Sequence, residues 1–121
     1  EAYRYFMESA TIDLYNASKK VMSGGSFLGG IHTAAAGGVW LIIVKGFAGF
    51  EMTDKGVAFT PALPEAWKGL NFKLCIRGCL LEVALDGRGI RIHSGPDNPG
   101  KLHVQVPGKQ VWLEPGDTLE G

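Results

Sequence analysis

Residues 29–49 read GGIHTAAAGGVWLIIVKGFAG, and this stretch determines how the rest of the chain is interpreted. From residue 34 to residue 44 every position is apolar or glycine, which is too long a run for a typical strand and lacks a strand's alternation. The pattern indicates either a core helix that is buried on all sides or a membrane span. A span needs about 20 predominantly apolar residues, and Lys45 and Gly46 interrupt this run. We therefore expect a buried helix, which needs neighbours on every side.

Length and charge limit the possible functions. The chain has 121 residues, enough for one modest domain or parts of two. Twelve basic and twelve acidic residues give a net charge of zero, which argues against nucleic acid or an anionic membrane as the main partner. The first residues have no signal-peptide pattern, and they begin without Met in a helical pattern. We expect the chain to be part of a longer one that supplies the neighbours of the central helix.

The two cysteines, Cys75 and Cys79, are separated by three residues. A zinc or redox site would favour two intervening residues and, for zinc, a second ligand pair. A two-residue turn at Arg77 and Gly78 would place the two thiols on opposite faces of a hairpin. We expect free thiols in a reducing compartment, and hence a cytoplasmic protein.

Before the central stretch, residues 2–15 have the spacing of an amphipathic helix. Residues 16–30 are rich in glycine and serine without periodicity and predict a loop. After residue 49 the pattern changes to short alternating segments, which begin near residues 57, 70, 79, 90, 102 and 110. Five or six short strands with a turn about every ten residues indicate an antiparallel β-sandwich. Trp67 lies in a proline-rich connection, and we expect its indole to be largely buried.

Three parts of the chain carry a family resemblance: GGIHTAAAGGVW, GFAGFEM and FTPALPEAWKGLNFKLCIRGCLLEV. In this order they resemble the C-terminal part of glycoside hydrolase family 65. That family contains inverting α-glucoside phosphorylases, such as those acting on maltose, trehalose, kojibiose and nigerose, together with related hydrolases. The match extends from the first helix to about Val83, and the final strands agree in type more than in letters.

The resemblance implies an α+β chain with two parts. Residues 1–50 would be the last helices of an (α/α)6 catalytic barrel, and residues 51–121 a small C-terminal antiparallel β-sandwich domain. The missing neighbours of the central helix would be earlier helices of the barrel. The glutamate that acts as general acid would lie upstream of Glu1, so this chain alone would be inactive.

The resemblance also assigns a role to His32. In the family, the histidine of the Gly-x-His motif lines the phosphate site, and a helix N-terminus and an imidazole can both donate to phosphate. The alternative is a histidine that caps its own helix. The expected ligands are an α-linked glucose disaccharide and inorganic phosphate as co-substrate, with no metal or other cofactor. Phosphorolysis and hydrolysis stay open, because the serine loop expected to complete the phosphate site would lie upstream.

Two other functions remain possible from the residues. A stand-alone β-sandwich could be a carbohydrate-binding or interaction module, with Trp67 and Trp112 as candidates, although both sit in an apolar context that suggests packing. A small membrane-anchored protein could use the central stretch. His93 and His103 fall on predicted strands without a third ligand at metal spacing, and we expect both at the surface. If the central helix lacked its barrel, we would expect self-association to cover it.

Overall fold

The computed structural model describes residues 1–11 and 33–121. The helical elements are α1 (Ala2–Ala10), α2 (Thr33–Leu41) and a π-helical segment (Ile42–Phe47). The strands are β1 (Phe50–Met52), β2 (Gly56–Phe59), β3 (Gly69–Ile76), β4 (Cys79–Asp86), β5 (Gly89–Ser94), β6 (Leu102–Val106), β7 (Lys109–Leu113) and β8 (Thr118–Glu120). The chain divides into two compact units, Glu1–Ile43 and Val44–Gly121.

The first unit contains α1 and α2, which contact each other. The helix predicted for residues 2–15 begins at Ala2 and is described through Ala10, and residues 12–15 lie outside the described part of the chain. The central stretch is helical as predicted. However, no residue of α2 is buried, and the Trp40 side chain is 47% exposed. No helix in the described residues is long and apolar enough to cross a membrane.

The second unit is built from two four-stranded sheets. One sheet has the strand order β1-β2-β6-β7, and the other has the order β3-β4-β5-β8. Both sheets contribute their inward residues to one core, including Val57 and Val104 from the first and Leu81 and Ile92 from the second. This arrangement confirms the predicted β-sandwich, with eight strands where the sequence indicated five or six.

The sandwich differs from the predicted antiparallel arrangement at one pair of strands. Strands β2 and β6 are parallel, with Val57 opposite Val104. The chain leaves this sheet after β2 and builds β3, β4 and β5 in the other sheet before it returns as β6. Because a long connection joins the two strands, no tight hairpin forces them to run in opposite directions.

The β3–β4 hairpin turns at Arg77 and Gly78, as the sequence predicted. Both residues have positive φ, 51° and 78°, which is the backbone of the two-residue turn that matches the twist of the strands. Cys79 pairs with Ile76 in the ladder, and Cys75 pairs with Leu80. The Cys75 thiol is exposed, the Cys79 thiol is buried, and both are free. This result confirms that the two thiols occupy opposite faces.

The crossing from β5 to β6 is fixed by Asn98. Its Oδ1 atom accepts a hydrogen bond from the Leu80 amide at 2.7 Å, and its Nδ2 atom donates to the Leu80 carbonyl at 2.9 Å. The same Nδ2 donates to Ser94 Oγ at 2.9 Å. Ser94 is the last residue of β5 to pair with β4, at Leu81. The Asn98 amide therefore occupies the place of a strand partner for Leu80, one residue beyond the end of the ladder.

Candidate functional site

His32, the predicted phosphate ligand, lies outside the described residues. It directly precedes Thr33, the first residue given for α2. The structure therefore neither brings His32 together with other groups nor separates it from them. The candidate sites that the structure does describe lie on the two outer faces of the sandwich.

The outer face of the β3-β4-β5-β8 sheet, here named the polar face, carries two rows of polar side chains. Pairing across the four strands aligns the first row, which consists of Lys73, Glu82, His93 and Thr118. The second row consists of Asn71, Ala84, Arg91 and Glu120. The small Ala84 side chain lies between larger neighbours, and two open depressions of ≈ 450 and ≈ 350 Å³ share Asn71, Ala84 and Arg91.

The charged groups of the polar face bind one another. Lys73 Nζ lies 2.6 Å from Glu82 Oε1, and Arg91 Nε donates to Glu120 Oε1 at 2.9 Å. The hydrogen bond from Lys73, together with its positive charge, lowers the pKa of Glu82. A general acid in glycoside chemistry needs a raised pKa. The lowered pKa of Glu82 is therefore the opposite of what that role requires.

The remaining pair of this face joins an imidazole and a hydroxyl group. His93 Nδ1 lies 2.9 Å from Thr118 Oγ1 across the β5–β8 pair. Among the described residues, no three His, Cys, Asp or Glu side chains lie close enough together to hold a metal ion. The polar face is a hydrogen-bonded surface with both signs of charge, and the described residues offer it no metal ligand set.

The outer face of the β1-β2-β6-β7 sheet, here named the Trp112 face, is different in composition. Trp112 is 51% exposed, so the packing suggested by its apolar sequence context is wrong. It lies opposite His103 in the β6–β7 pair, with ring centroids 5.1 Å apart and an interplanar angle of 68°. Lys101 Nζ lies 5.3 Å from the centre of the indole ring. The indole therefore has a defined orientation and an open surface.

His103 is buried, at 9% exposure, and its predicted surface position is wrong. Its backbone does alternate outward as predicted, since Leu102 and Val104 on either side join the core. The ring is covered because the register places Trp112 directly beside it. Its Nδ1 atom has no hydrogen-bond partner among the described residues. A buried polar atom left without any partner costs about 1–3 kcal/mol.

The other candidate tryptophan has a packing role. Trp67 is partly buried, and its ring meets the Phe47 ring edge-on at a centroid distance of 5.1 Å. The connection that carries Trp67 is anchored nearby, because the Ala62 amide donates to the Phe47 carbonyl at 2.8 Å. Sequence reasoning treated the two tryptophans alike. The alternation of Val111, Trp112 and Leu113 on one strand was the signal that could have separated them, since it predicts an outward Trp112.

Comparisons with known proteins identify the family of this chain. The family profile described as "Glycosyl hydrolase family 65, C-terminal domain" matches residues 50–113. The 1,2-alpha-glucosylglycerol phosphorylase of Bacillus selenitireducens is 40% identical over 94% of this chain and 15% of its own length. The alpha,alpha-trehalose phosphorylase of Geobacillus stearothermophilus is 32% identical over 99% of this chain and 15% of its own length.

A solved structure from the human microbiome, provisionally named a kojibiose phosphorylase, has the same fold. It superposes with a TM-score of 0.77 over 98% of this chain and 15% of that one, at 23% sequence identity. The chain thus spans about one seventh of the length of the proteins it matches. The matched profile covers β1 to β7 of the sandwich, and the matches to the two phosphorylases extend into the helices before it. The chain belongs to glycosyl hydrolase family 65, and its sandwich is that family's C-terminal domain.

Proposed function

We propose that this chain is the C-terminal part of an inverting α-glucoside phosphorylase. The observation that carries the proposal is the 40% identity, over 94% of the chain, to a protein named as a phosphorylase. The trehalose relative and further kojibiose and nigerose relatives are also named as phosphorylases. This agreement supports phosphorolysis over hydrolysis, which the residues alone left open. The disaccharide linkage differs among these names and is not part of the proposal.

We assign residues 1–50 to the last helices of an (α/α)6 barrel and residues 51–121 to the C-terminal domain. The exposed apolar surface of α2 supports this division, because such a surface in water favours a partner. The compact units divide slightly earlier, between Ile43 and Val44. The reason is local packing, since Val44 and Ala48 join the core of the sandwich. The barrel helices that precede residue 1 in such an enzyme would cover α2.

The chemistry of this proposal is a single displacement at the anomeric carbon. A carboxylic acid donates its proton to the glycosidic oxygen as the bond from that oxygen to the anomeric carbon breaks. An oxygen of inorganic phosphate attacks the same carbon from the opposite face. The α-linked glucosyl group thus becomes β-glucose 1-phosphate, and the second sugar leaves as an alcohol. The acid would lie in the chain upstream of residue 1.

We assign the nucleophile's binding to His32. An imidazole beside the first turn of a helix adds a donor to the free amides and positive potential of that terminus. Phosphate would be both bound and oriented there, and no metal or further cofactor is required. The alternative is a histidine that caps α2 and has no ligand. We also propose a cytoplasmic location, which the free thiols Cys75 and Cys79 support.

Steady-state phosphorolysis by the complete enzyme tests this role of His32. His32→Ala should raise the apparent KM for phosphate by roughly tenfold or more, the effect of losing about 1.4 kcal/mol of binding. The KM for the disaccharide should change far less, because the histidine contacts the nucleophile. His93→Ala is the matched control, since His93 lies on the polar face, and it should leave both constants unchanged.

Two outcomes would count against the proposal in different ways. An unchanged KM for phosphate in the His32→Ala enzyme would return His32 to the helix-capping role and leave the phosphorylase assignment intact. A wild-type enzyme that cleaves the disaccharide at a rate independent of phosphate would instead place the whole protein among the hydrolases.

A further inference from the structure

The Trp112 face combines a large exposed aromatic ring with a neighbouring strand of small outward residues. In the row that contains Trp112 and His103, the β2 residue is Gly56. In the next row it is Ala58, opposite Gln105. Strand β2 therefore adds almost no side-chain bulk to this face, where Gly56 is buried and Ala58 is half-buried. Gly56 cannot be replaced by a larger residue without moving the sheet, because a Cβ there would come within 2.0 Å of the His103 carbonyl oxygen.

Hydrogen-bonding groups lie on the same face of the sheet as Trp112. Gln105 and Gln110 are exposed and paired across β6 and β7, one row away from Trp112. Glu51 lies at the far end of the same row, opposite Ala58. Primary amides both donate and accept, and a carboxylate accepts up to four hydrogen bonds. Lys101 lies over the indole, and Asp54 and Lys55 directly precede Gly56, so charges of both signs flank the face. A ligand for this face therefore needs hydroxyl groups and no net charge.

The buried edge of this face carries an unfavourable feature that packing does not explain. Within residues 1–11 and 33–121, His103 Nδ1 has no hydrogen-bond partner, and an apolar residue of similar size beside the indole would avoid the desolvation penalty. Its ring instead supports Trp112 edge-on and holds the indole outward. Local features that reduce stability without a structural benefit concentrate at functional sites. The ordering of an exposed aromatic ring also removes an entropy cost from ligand binding.

From these observations we infer that the Trp112 face binds a neutral saccharide. The apolar C–H face of a pyranose would stack on the exposed indole of Trp112. Its hydroxyl groups would bond to Gln105, Gln110 and Glu51. The identification of the saccharide as an α-linked gluco-oligosaccharide rests on the proposed function. The inference of a saccharide site on this face does not depend on that function. The polar face of the other sheet lacks an outward aromatic residue among its two rows, and its charges already bind one another.

Affinity electrophoresis through gels that contain a soluble α-glucan tests the inference, with titration calorimetry against maltoheptaose for the dissociation constant. The whole protein that carries this chain is used, without phosphate, so that binding is measured apart from turnover. Trp112→Ala should weaken glucan affinity by roughly tenfold or more. Trp112→Phe should recover part of it, because a smaller ring still stacks. Trp67→Phe is the matched control, since Trp67 packs against Phe47, and it should bind as the wild type does.

Accessibility in the whole protein is measured separately. Trp112→Cys introduces a thiol at the centre of the face, and its reaction with a water-soluble maleimide is compared with that of the unsubstituted protein, in which the exposed Cys75 should also react. One additional rapidly labelled thiol supports the site. A thiol that is protected in the folded protein would mean that the rest of the chain covers this face, and the inference would be wrong. Equal glucan affinity in wild type and Trp112→Ala, or no affinity in either, would also overturn it. Neither result would change the phosphate dependence that tests the proposed function.

Discussion

The sandwich and the helix α2 are both rich in apolar residues, but only the sandwich buries its own. Leu81 in β4 is fully buried, whereas Leu41 in α2 is 48% exposed and no residue of α2 is buried. In the strands, apolar residues alternate with polar ones, so one side of each sheet faces a partner sheet in the same unit. In α2 they surround the helix, so no single neighbour could cover them. The comparison teaches that the sandwich covers its own apolar residues and that α2 leaves its apolar residues exposed.

The largest expected effect comes from a comparison of two leucine-to-alanine substitutions, one in the sandwich and one in α2. Leu81→Ala should lower the free energy of unfolding of the 121-residue chain by about 2–5 kcal/mol, because it leaves a cavity in a closed core. Leu41→Ala should change it by less than about 0.5 kcal/mol, since water already reaches that side chain. Urea unfolding followed by circular dichroism measures both, at two protein concentrations to detect self-association through α2.

The same two substitutions can also be measured in the complete protein. If barrel helices cover α2 there, Leu41→Ala should become as costly as a core substitution, whereas Leu81→Ala should cost the same in both contexts. A cost above about 2 kcal/mol for Leu41→Ala in the 121-residue chain alone would contradict the view that α2 lacks cover.

A smaller effect is expected at Asn98, within the sandwich. Asn98→Ala removes the partner of the Leu80 amide and should cost about 1–2 kcal/mol, because water can replace only part of that bonding. Asn98→Asp should cost less, since it keeps the acceptor for the amide and loses only the donor. Denaturant unfolding gives the free energies, and amide exchange at Leu80 locates the change. Asn71→Ala, on the exposed side of β3, is the control and should be close to neutral.

The smallest effect concerns pH. Because Lys73 lowers the pKa of Glu82 in the folded chain, the unfolded chain binds more protons near the ordinary glutamate pKa of about 4.3. The stabilisation from this pair is therefore present above that pH and is lost as the pH falls through the lower, folded pKa. Lys73→Gln should flatten the dependence of the unfolding midpoint on pH in this range. The exposed Lys68→Gln should not, and equal profiles for the two variants would show that the pair contributes nothing measurable.

Most of the sandwich could be predicted from the sequence, because its strands alternate and its turns carry glycine or proline. Strands β1 and β8 were missed because each has only three residues, too few for a period of two to be visible. The parallel β2–β6 pair was missed because a long connection, and no local turn, sets its direction. The change to a π-helix at Ile42 also has no simple pattern in the sequence.

The sites show a similar limit. Alternation gives the direction of a side chain, and it correctly points His103 and Trp112 outward. Whether an outward side chain is covered depends on which residue lies opposite it in the neighbouring strand. This register covers His103, which was expected at the surface, and leaves Trp112, which was expected to pack, exposed. The role of His32 was predicted from a family resemblance and lies outside the described residues, so it stays a prediction. Local sequence patterns thus predict helices and strands. Contacts between strands that are distant in sequence determine which outward side chains are exposed.

The parallel pairing of β2 with β6 has a consequence for the order of folding. The β3–β4–β5 meander lies in sequence between these two strands, and the entropy lost on closing a chain grows with the length of the closed segment. The β3–β4 and β4–β5 hairpins close only short turns, so they should form before β2 meets β6. Pulsed hydrogen exchange during refolding would detect this order as amides of β4 that are protected earlier than those of β2. The folded meander would already have brought β2 and β6 close together. The sheet that carries Trp112 would then be completed last.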